Sequence, residues 1–547
     1  MKKVYILLIS LIASGTFISC EDQLDVENPN EPGLTSAQTE SGVISLAQGA
    51  VYVNGFRDLK YYDGIPGYFW SGAVGFHELM GDVIGEEAAN VFGNQIGAPD
   101  YIVLDNGTQV LNPNAPNKQK ELIKQINLNS NAGSNTLFYE WAYMYSLNNS
   151  CNTVLETVEH VSFTGDAEAK KNTIKAWAYF WKGYAYSRIG SMYIAGLIND
   201  VSATTNANYV TKEQVIAEAS SNFDEAAALL SGLAGNAGYT STINSLIPAF
   251  NQIGHGGALS SDMWIRNINT MKARNILVNT TVQNMTAAQW QEVLELTNNG
   301  IKATDYVFTG RANESGDLLS ASAGTVSAKT TGNPGQGTTY KISERLIQDF
   351  KPGDQRFANN FNQLANPWRG ESSRGNAFNT RFELVDGGNG LDGVIILGSK
   401  TPGEYELFLA GSYEENELMK AEANIYLGNL EEGLKLIDAV RAYQGAGLAP
   451  VAATGLSMGA ALEELRRERR VGLLFRGLSF YDARRWGVIN DVSQGGGRTG
   501  AVVVSSAGQV NTNATINYNF APYWDVPDNE LVYNAPAAGS APVKVDL

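Results

Sequence analysis

The chain has 547 residues, 44% hydrophobic and 17% charged, a balance that gives a globular body with a large core and excludes a disordered chain. Its formal charge of −17 repels phosphate backbones and argues against a nucleic-acid partner. Beyond residue 20 no apolar run approaches the roughly 20 residues of a spanning helix, so the body is not expected to cross a bilayer as a helix.

At the N-terminus Lys2 and Lys3 precede an apolar run from Val4 to Ala13, followed by the small-residue exit Ser14 to Ser19 and then Cys20. That order is a secretory signal over residues 1–19. A cysteine directly after the cut predicts a bacterial lipoprotein anchored through palmitate-type acyl chains on Cys20, although Phe17 stands where such signals prefer Leu. Two or three chains at about 0.8 kcal/mol per buried methylene hold a protein on a membrane far more firmly than one. With Cys20 acylated, the other cysteine, Cys151, has no intrachain disulfide partner. Residues 20–40, rich in Asn, Pro and Glu, read as an extended tether.

Helical spacing then recurs. Phe138, Trp141, Ala142 and Tyr145 form one stripe; Ile174, Trp177, Trp181, Tyr184 and Ala185 a second; Ile216, Ala219, Phe223, Ala226 and Leu230 a third. Leu418, Ala421 and Ile425, a break at Gly428, and then Leu434, Ile437 and Val440 predict a helical hairpin. Ala421 and Ala423 beside larger residues make it similar to a tetratricopeptide repeat. The predicted fold is mainly α, built of irregular helical hairpins including tetratricopeptide-like repeats, with little β-structure. Gly-, Asn-, Ser- and Thr-rich stretches near 85–135, 232–260, 309–340, 365–400 and 492–520 read as long loops.

Several chemical motifs fail on inspection. Gly455, Ser457 and Gly459 have the spacing of a hydrolase nucleophile elbow, but His77, His160 and His255 all precede Ser457, so Ser457 reads better as a helix N-cap. His77 and Glu78 begin like a zinc-protease helix, yet Gly81 holds the second histidine position. Asp386, Asn389 and Asp392 lie in a glycine-rich turn without the bidentate Glu of a calcium loop. No metal or cofactor is predicted. What remains is aromatic: Tyr61, Tyr62, Tyr68, Phe69 and Trp70 beside Gly64, Pro66 and Gly67, and Phe92, Tyr101, Trp264 and Trp368 in or near other loops. A flat ring that hides roughly 40–50 Å² of a sugar's C–H face supplies about 1 kcal/mol, and three or four such rings reach only about 1 mM. Trp70, Phe92, Tyr101, Trp264 and Trp368 are the candidate ligand platforms.

The segment Glu464 to Gly487 resembles the signature of the SusD/RagB family of nutrient-binding outer-membrane lipoproteins, with Glu468, Arg469, Gly477, Asp482, Arg485 and Trp486 at matching positions. Gly472 and Arg476 replace the usual Glu, and Ser479 the usual Arg, so one ion-pair network must be rewired. Phe138–Asn152, Ile174–Tyr193, Tyr413–Asn429 and Val526–Asn534 resemble further family segments. Acidic Glu21 and Asp22 after Cys20 resemble a surface-export signal of Bacteroidetes-type lipoproteins. The resemblance implies an N-terminal region at 41–330 carrying ligand loops and a C-terminal region at 331–547. It implies a non-catalytic binder on the cell outer membrane that takes no cofactor and passes oligosaccharides to a SusC-like, TonB-dependent transporter. Alternatives are a lipid-anchored glycoside hydrolase and a tetratricopeptide-type scaffold for peptides. The motif residues read as structural: charged pairs among Arg469, Asp482 and Arg485 that lock elements together, and a large buried face from Trp486.

Overall fold

The computed structural model describes residues 37–52, 69–87, 91–112, 118–311, 325–336, 338–370, 378–401 and 403–545. The leader, Cys20, most of the tether, and Tyr61, Tyr62 and Tyr68 lie outside them. The helices are α1 (Glu40–Tyr52), α2 (Val74–Met80), α3 (Thr136–Val158), α4 (Ala167–Met192), α5 (Lys212–Leu230), α6 (Ala237–Leu246), α7 (Ser261–Asn279), α8 (Ala287–Asn298), α9 (Glu344–Asp349), α10 (Gln355–Asn360), α11 (Tyr413–Tyr426), α12 (Leu430–Tyr443), α13 (Met458–Gly472) and α14 (Ser479–Arg485). The helical expectation holds, and all three early stripes lie on helices.

Helix α4 is the central rod, buried almost all round from Ala176 to Met192. Its side against α5 is cut away by two glycines seven apart. A Cβ at Gly183 would stand 2.7 Å from Phe223, and one at Gly190 would stand 2.8 Å from Ile216. Two turns of α4 thus meet α5 backbone to side chain, with no room for a methyl group. The opposite hairpin, α11 and α12, uses the same device: Gly428 turns the chain at φ +88, and a Cβ at Gly433 would meet Ile425 at 2.6 Å. Helix α13 packs across this pair and opens at Ser457, whose side chain accepts from the Ala460 N–H. Ser457 is therefore a cap and no nucleophile.

Strands appear where loops were expected. Strands β1 (Ile84–Glu86), β2 (Tyr101–Val103), β3 (Gln109–Leu111), β4 (Tyr340–Ile342), β5 (Phe361–Trp368), β6 (Thr380–Leu384), β7 (Arg498–Val504) and β8 (Val510–Asn517) pair antiparallel throughout. One sheet runs β7-β8-β2-β3, with Tyr101 opposite Asn517 and Ile102 opposite Ile516. The stretch 492–520 was misread because Gly, Ser and Asn masked an alternation: Ala501, Val503 and Val504 are buried on β7 and Ala514, Ile516 and Asn517 on β8. The glycine-rich turn also resolves. The Asp386 carboxylate accepts the Lys400 N–H at 2.7 Å and the Asn389 amide donates to the Ala358 carbonyl at 2.8 Å, so local backbone occupies both groups.

The signature residues build a buried ionic lattice. Asp482 accepts from Arg469 at 2.8 Å and from Arg485 at 2.8 Å, and Arg485 continues to Glu422 on α11 through two bonds of 2.6 Å. Glu468 accepts from Arg356 on α10 at 2.5 Å and from Arg441 on α12 at 2.8 Å. Burial alone would raise the Asp482 and Glu468 pKa values, yet the facing guanidinium groups hold both below the usual carboxylate range. Gly472 leaves its place to this lattice: a Cβ there would lie 3.2 Å from both Gln444 and Glu468. Trp486 departs from expectation. It is half-buried rather than a large buried face, because it caps α14 at the surface while its Nε1 reaches Glu422 at 3.3 Å.

At Ser479 the rewiring is visible. Glu78 on α2 is wholly buried, and accepts from the Gly477 N–H at 2.7 Å and the Ser479 hydroxyl at 3.2 Å. A Cβ at Gly81 would stand 2.1 Å from Ser479 Oγ, so this glycine, where a zinc helix needs histidine, is fixed by α2–α14 contact. Burial pushes the Glu78 pKa up to about 7 despite those two donors. A carboxyl with a higher pKa folded than unfolded binds its proton more tightly when folded. Its contribution is full below the unfolded value of about 4.3 and is lost as pH rises through the folded value.

Asp482→Ala, which strands two buried arginines, should lower unfolding free energy by about 3–5 kcal/mol in urea titrations; unchanged unfolding would show the lattice to be dispensable. Between about pH 5 and about pH 8, Glu78→Gln should lose less stability than the unsubstituted chain, by up to about 3 kcal/mol. Parallel profiles would mean that Glu78 does not titrate in this interval.

Candidate ligand-binding site

The five ring candidates separate by exposure. Trp264 has no exposed surface: it lies on the inner side of α7 with Ile268 and Met271, its ring 6.0 Å from Trp177 and 5.5 Å from Phe308. Trp70 is also buried, edge-on to Phe69 at 4.5 Å and near Tyr184 at 6.5 Å. Neither offers a free face, and both expectations are corrected: ring type near a glycine-rich stretch did not reveal that helix packing would enclose them. Phe92, in the short helix Val91–Gln95, Tyr101 on β2 and Trp368 at the end of β5 remain half-buried.

Trp368 has the most developed surroundings. The β5–β6 ladder runs regularly from Phe361 opposite Leu384 to Gln363 opposite Phe382, then breaks register before Trp368 meets Thr380. That irregularity turns the strand end out of the ladder, as bulges do. Asn379, buried beside it, clamps the end: its Oδ1 accepts the Gly370 N–H at 2.9 Å and its Nδ2 donates to the Val504 carbonyl on β7 at 3.0 Å. Arg369 adds a bond to the Ser506 carbonyl in the β7–β8 turn at 3.2 Å. The indole is thus carried on a strand end tied at two points to the four-stranded sheet that also bears Tyr101.

Around the ring the wall is small and polar. A Cβ at Gly370 would meet Trp368 Cη2 at 2.8 Å and Glu87 Oε2 at 2.8 Å, so only glycine lets the chain fold this closely beside both. A Cβ at Gly335 would stand 3.9 Å from Trp368 Cδ1. Lys341 holds its ammonium 5.1 Å from the indole centroid and donates to Thr338 Oγ1 at 3.0 Å. Its hydrocarbon stem is buried while the charge sits against the ring, a cation–π arrangement. The result is an indole with a cation over its face and a carboxylate near its edge. It suits a ligand with one C–H face and hydroxyls around its edge. Sequence reading missed Lys341 and Glu87, since neither belongs to a motif.

No group of three or more His, Cys, Asp or Glu side chains suited to a metal occurs among the described residues, and no described helix is long and apolar enough to cross a membrane. Cys151 is buried, and burial raises its thiol to about 12, so it is inert.

The architecture is that of SusD-like proteins. A SusD-like carbohydrate binding protein from Bacteroides vulgatus is 15% identical at a TM-score of 0.56, over 93% of this chain and 98% of its own. One from Bacteroides fragilis is 15% identical at 0.56, over 91% and 98%, and a SusD superfamily protein from Parabacteroides distasonis is 14% identical at 0.53, over 91% and 99%. At such identities the likeness is one of fold. The SusD family model matches residues 415–537, from α11 through the signature to the closing segment. The likeness to the SusD family is thus carried by that segment, on a fold shared with the solved SusD-like structures. No curated protein matches it in sequence.

Proposed function

We propose that the protein is a non-catalytic, lipid-anchored binder on the cell outer membrane that captures oligosaccharides or related nutrients and delivers them to a SusC-like, TonB-dependent transporter. The observation that carries the reading is the half-buried Trp368 indole, with Lys341 over the ring and Glu87 near its edge, on a fold shared with proteins described as carbohydrate binding. The signal at 1–19 and Cys20 support export and anchoring. A purely capturing role agrees with where many of the buried carboxylates are spent: Asp82, Glu140, Glu415, Glu422, Glu468 and Asp482 each face an arginine, Glu78 is taken up by Gly477 and Ser479, and all serve the fold.

Trp368→Ala should weaken binding of the glycan found by affinity electrophoresis over a polysaccharide panel by roughly fivefold, the loss of about 1 kcal/mol of ring contact, with Tm unchanged. Full retention of binding would remove Trp368 from the site. Mass spectrometry of the same glycans after incubation should return them intact; shortened products would establish the hydrolase alternative. Cys20→Ala should move the protein out of the membrane fraction and abolish palmitate labelling, whereas continued membrane attachment would refute the anchor.

A further inference from the structure

A second ring-walled hollow lies away from Trp368. Helix α7 ends at Asn279, and beyond it residues 280–283 face the end of α14 across a cleft of about 410 Å³, with Trp486 on one side and Tyr523 on the other. Its volume is within the range of ligand sites, roughly 300–1,000 Å³. A hollow of about 270 Å³ adjoins the cleft between α5, α7 and α8, and the two share Asn279 and Thr280 in their walls. Together they form one groove along the last two turns of α7.

Both rings are half-buried and held in place by cations. Arg484 lies 4.1 Å from the Tyr523 centroid and donates to the carbonyls of Ser191, Pro522 and Val278, while Lys212 stands 4.6 Å from the same ring. Arg485 lies 4.6 Å from Trp486 and is locked to Glu422 and Asp482. Rings pinned in this way are pre-organised plates: they lose little freedom when a ligand covers them.

The floor supplies a separate observation. Asn275 is 3% exposed, and its Oδ1 has no protein partner among the described residues; the same holds for Asn279 Oδ1. The hydrogen bonds fix which end of each amide is which. Ser187 Oγ donates to the Gly183 carbonyl at 2.8 Å, so toward Asn275 it must accept, and it takes Asn275 Nδ2 at 2.8 Å. Asn279 Nδ2 donates to the Asn275 carbonyl at 2.9 Å, an atom that can only accept. Both amide nitrogens are therefore spent within α4 and α7, and both amide oxygens are left without donors on residues that line the groove. A buried acceptor left unmet costs about 1–3 kcal/mol, which a groove occupant with hydroxyl donors recovers.

Charge narrows the occupant further. Lys212 is matched by Glu213, Lys272 by Asp224 at 2.6 Å and Arg466 by Glu463 at 3.2 Å, while Arg484, which donates only to carbonyls, is offset by the carboxylate of Glu292 in the lining. The rim carries no surplus to attract an anion. We infer that this groove is a second ligand site, distinct from Trp368, which takes a neutral oligosaccharide with C–H faces on Tyr523 and Trp486 and hydroxyls donating to Asn275 and Asn279. The inference rests on the carbohydrate reading for ligand class but not on the Trp368 plate.

Crystals of the protein soaked in concentrated glucose should show a sugar against Tyr523 with a hydroxyl on Asn279 Oδ1. Calorimetry with cellohexaose, xylohexaose, mannohexaose and maltohexaose should find two binding events per chain for at least one of them. Tyr523→Ala and, separately, Asn279→Ala should weaken one event by about tenfold and spare the other, which Trp368→Ala weakens instead. Sugar found at Trp368 but never in the groove overturns this inference and leaves the function standing; sugar at neither place overturns both. A groove that accepts oligogalacturonate and refuses every neutral chain overturns the assigned class.

Discussion

Burying arginine with carboxylate is the constraint on which this fold depends. Arg345 reaches Asp82, Arg274 reaches Glu415, Arg356 reaches Glu468, and Arg188 and His77 share Glu140, each pair joining segments far apart in the chain. Such pairs yield little net stability against an apolar core of the same shape, since desolvation consumes most of the attraction. What they supply is selection: a packing that separates one partner from the other strands a buried charge. In an acidic chain each buried arginine so paired also draws a carboxylate out of the repelling surface set, which eases the strain of the net negative charge.

The helical half of this architecture was legible because its signal is periodic. The stripes on α3, α4 and α5, and the Gly428 break between α11 and α12, depend only on local spacing, and spacing survives burial. Arg469, Asp482 and Arg485 of the signature form buried pairs, a use to which ionic residues inside an apolar helix pattern are commonly put. The sheets were not legible. Strands β2 and β3 are three residues each and pair with each other across a short turn, but β8, which holds the other edge of β2, lies some four hundred positions away, so a local window contains only a marginal two-stranded ribbon. Trp486 misled for a related reason: a ring in a signature suggests burial, but the helix end at which it stands faces a cleft.

Ring type alone could not separate platform from core. Trp264 and Trp368 look alike in sequence, each near small polar residues, yet one is enclosed by α4 and the other stands on a strand end after a register break. The difference is set by long-range packing. Lys341, Glu87, Asn275 and Asn279 were equally silent, since a lone polar residue acquires a role only from what folding puts beside it. The glycines were informative only afterwards: Gly183, Gly190, Gly433 and Gly81 mark four close approaches that no propensity would single out.

The sheet that seats Tyr101 between β3 and β8 has a consequence for biogenesis. Its first two strands leave the ribosome early, and the strands that complete it come from the last tenth of the polypeptide. Until that tail arrives, β2 keeps one bare edge, and Asn379 has no β7 carbonyl to grip. A chain that emerges front end first therefore has a built-in delay, its sheet staying incompletely sealed until almost its final residues have been made.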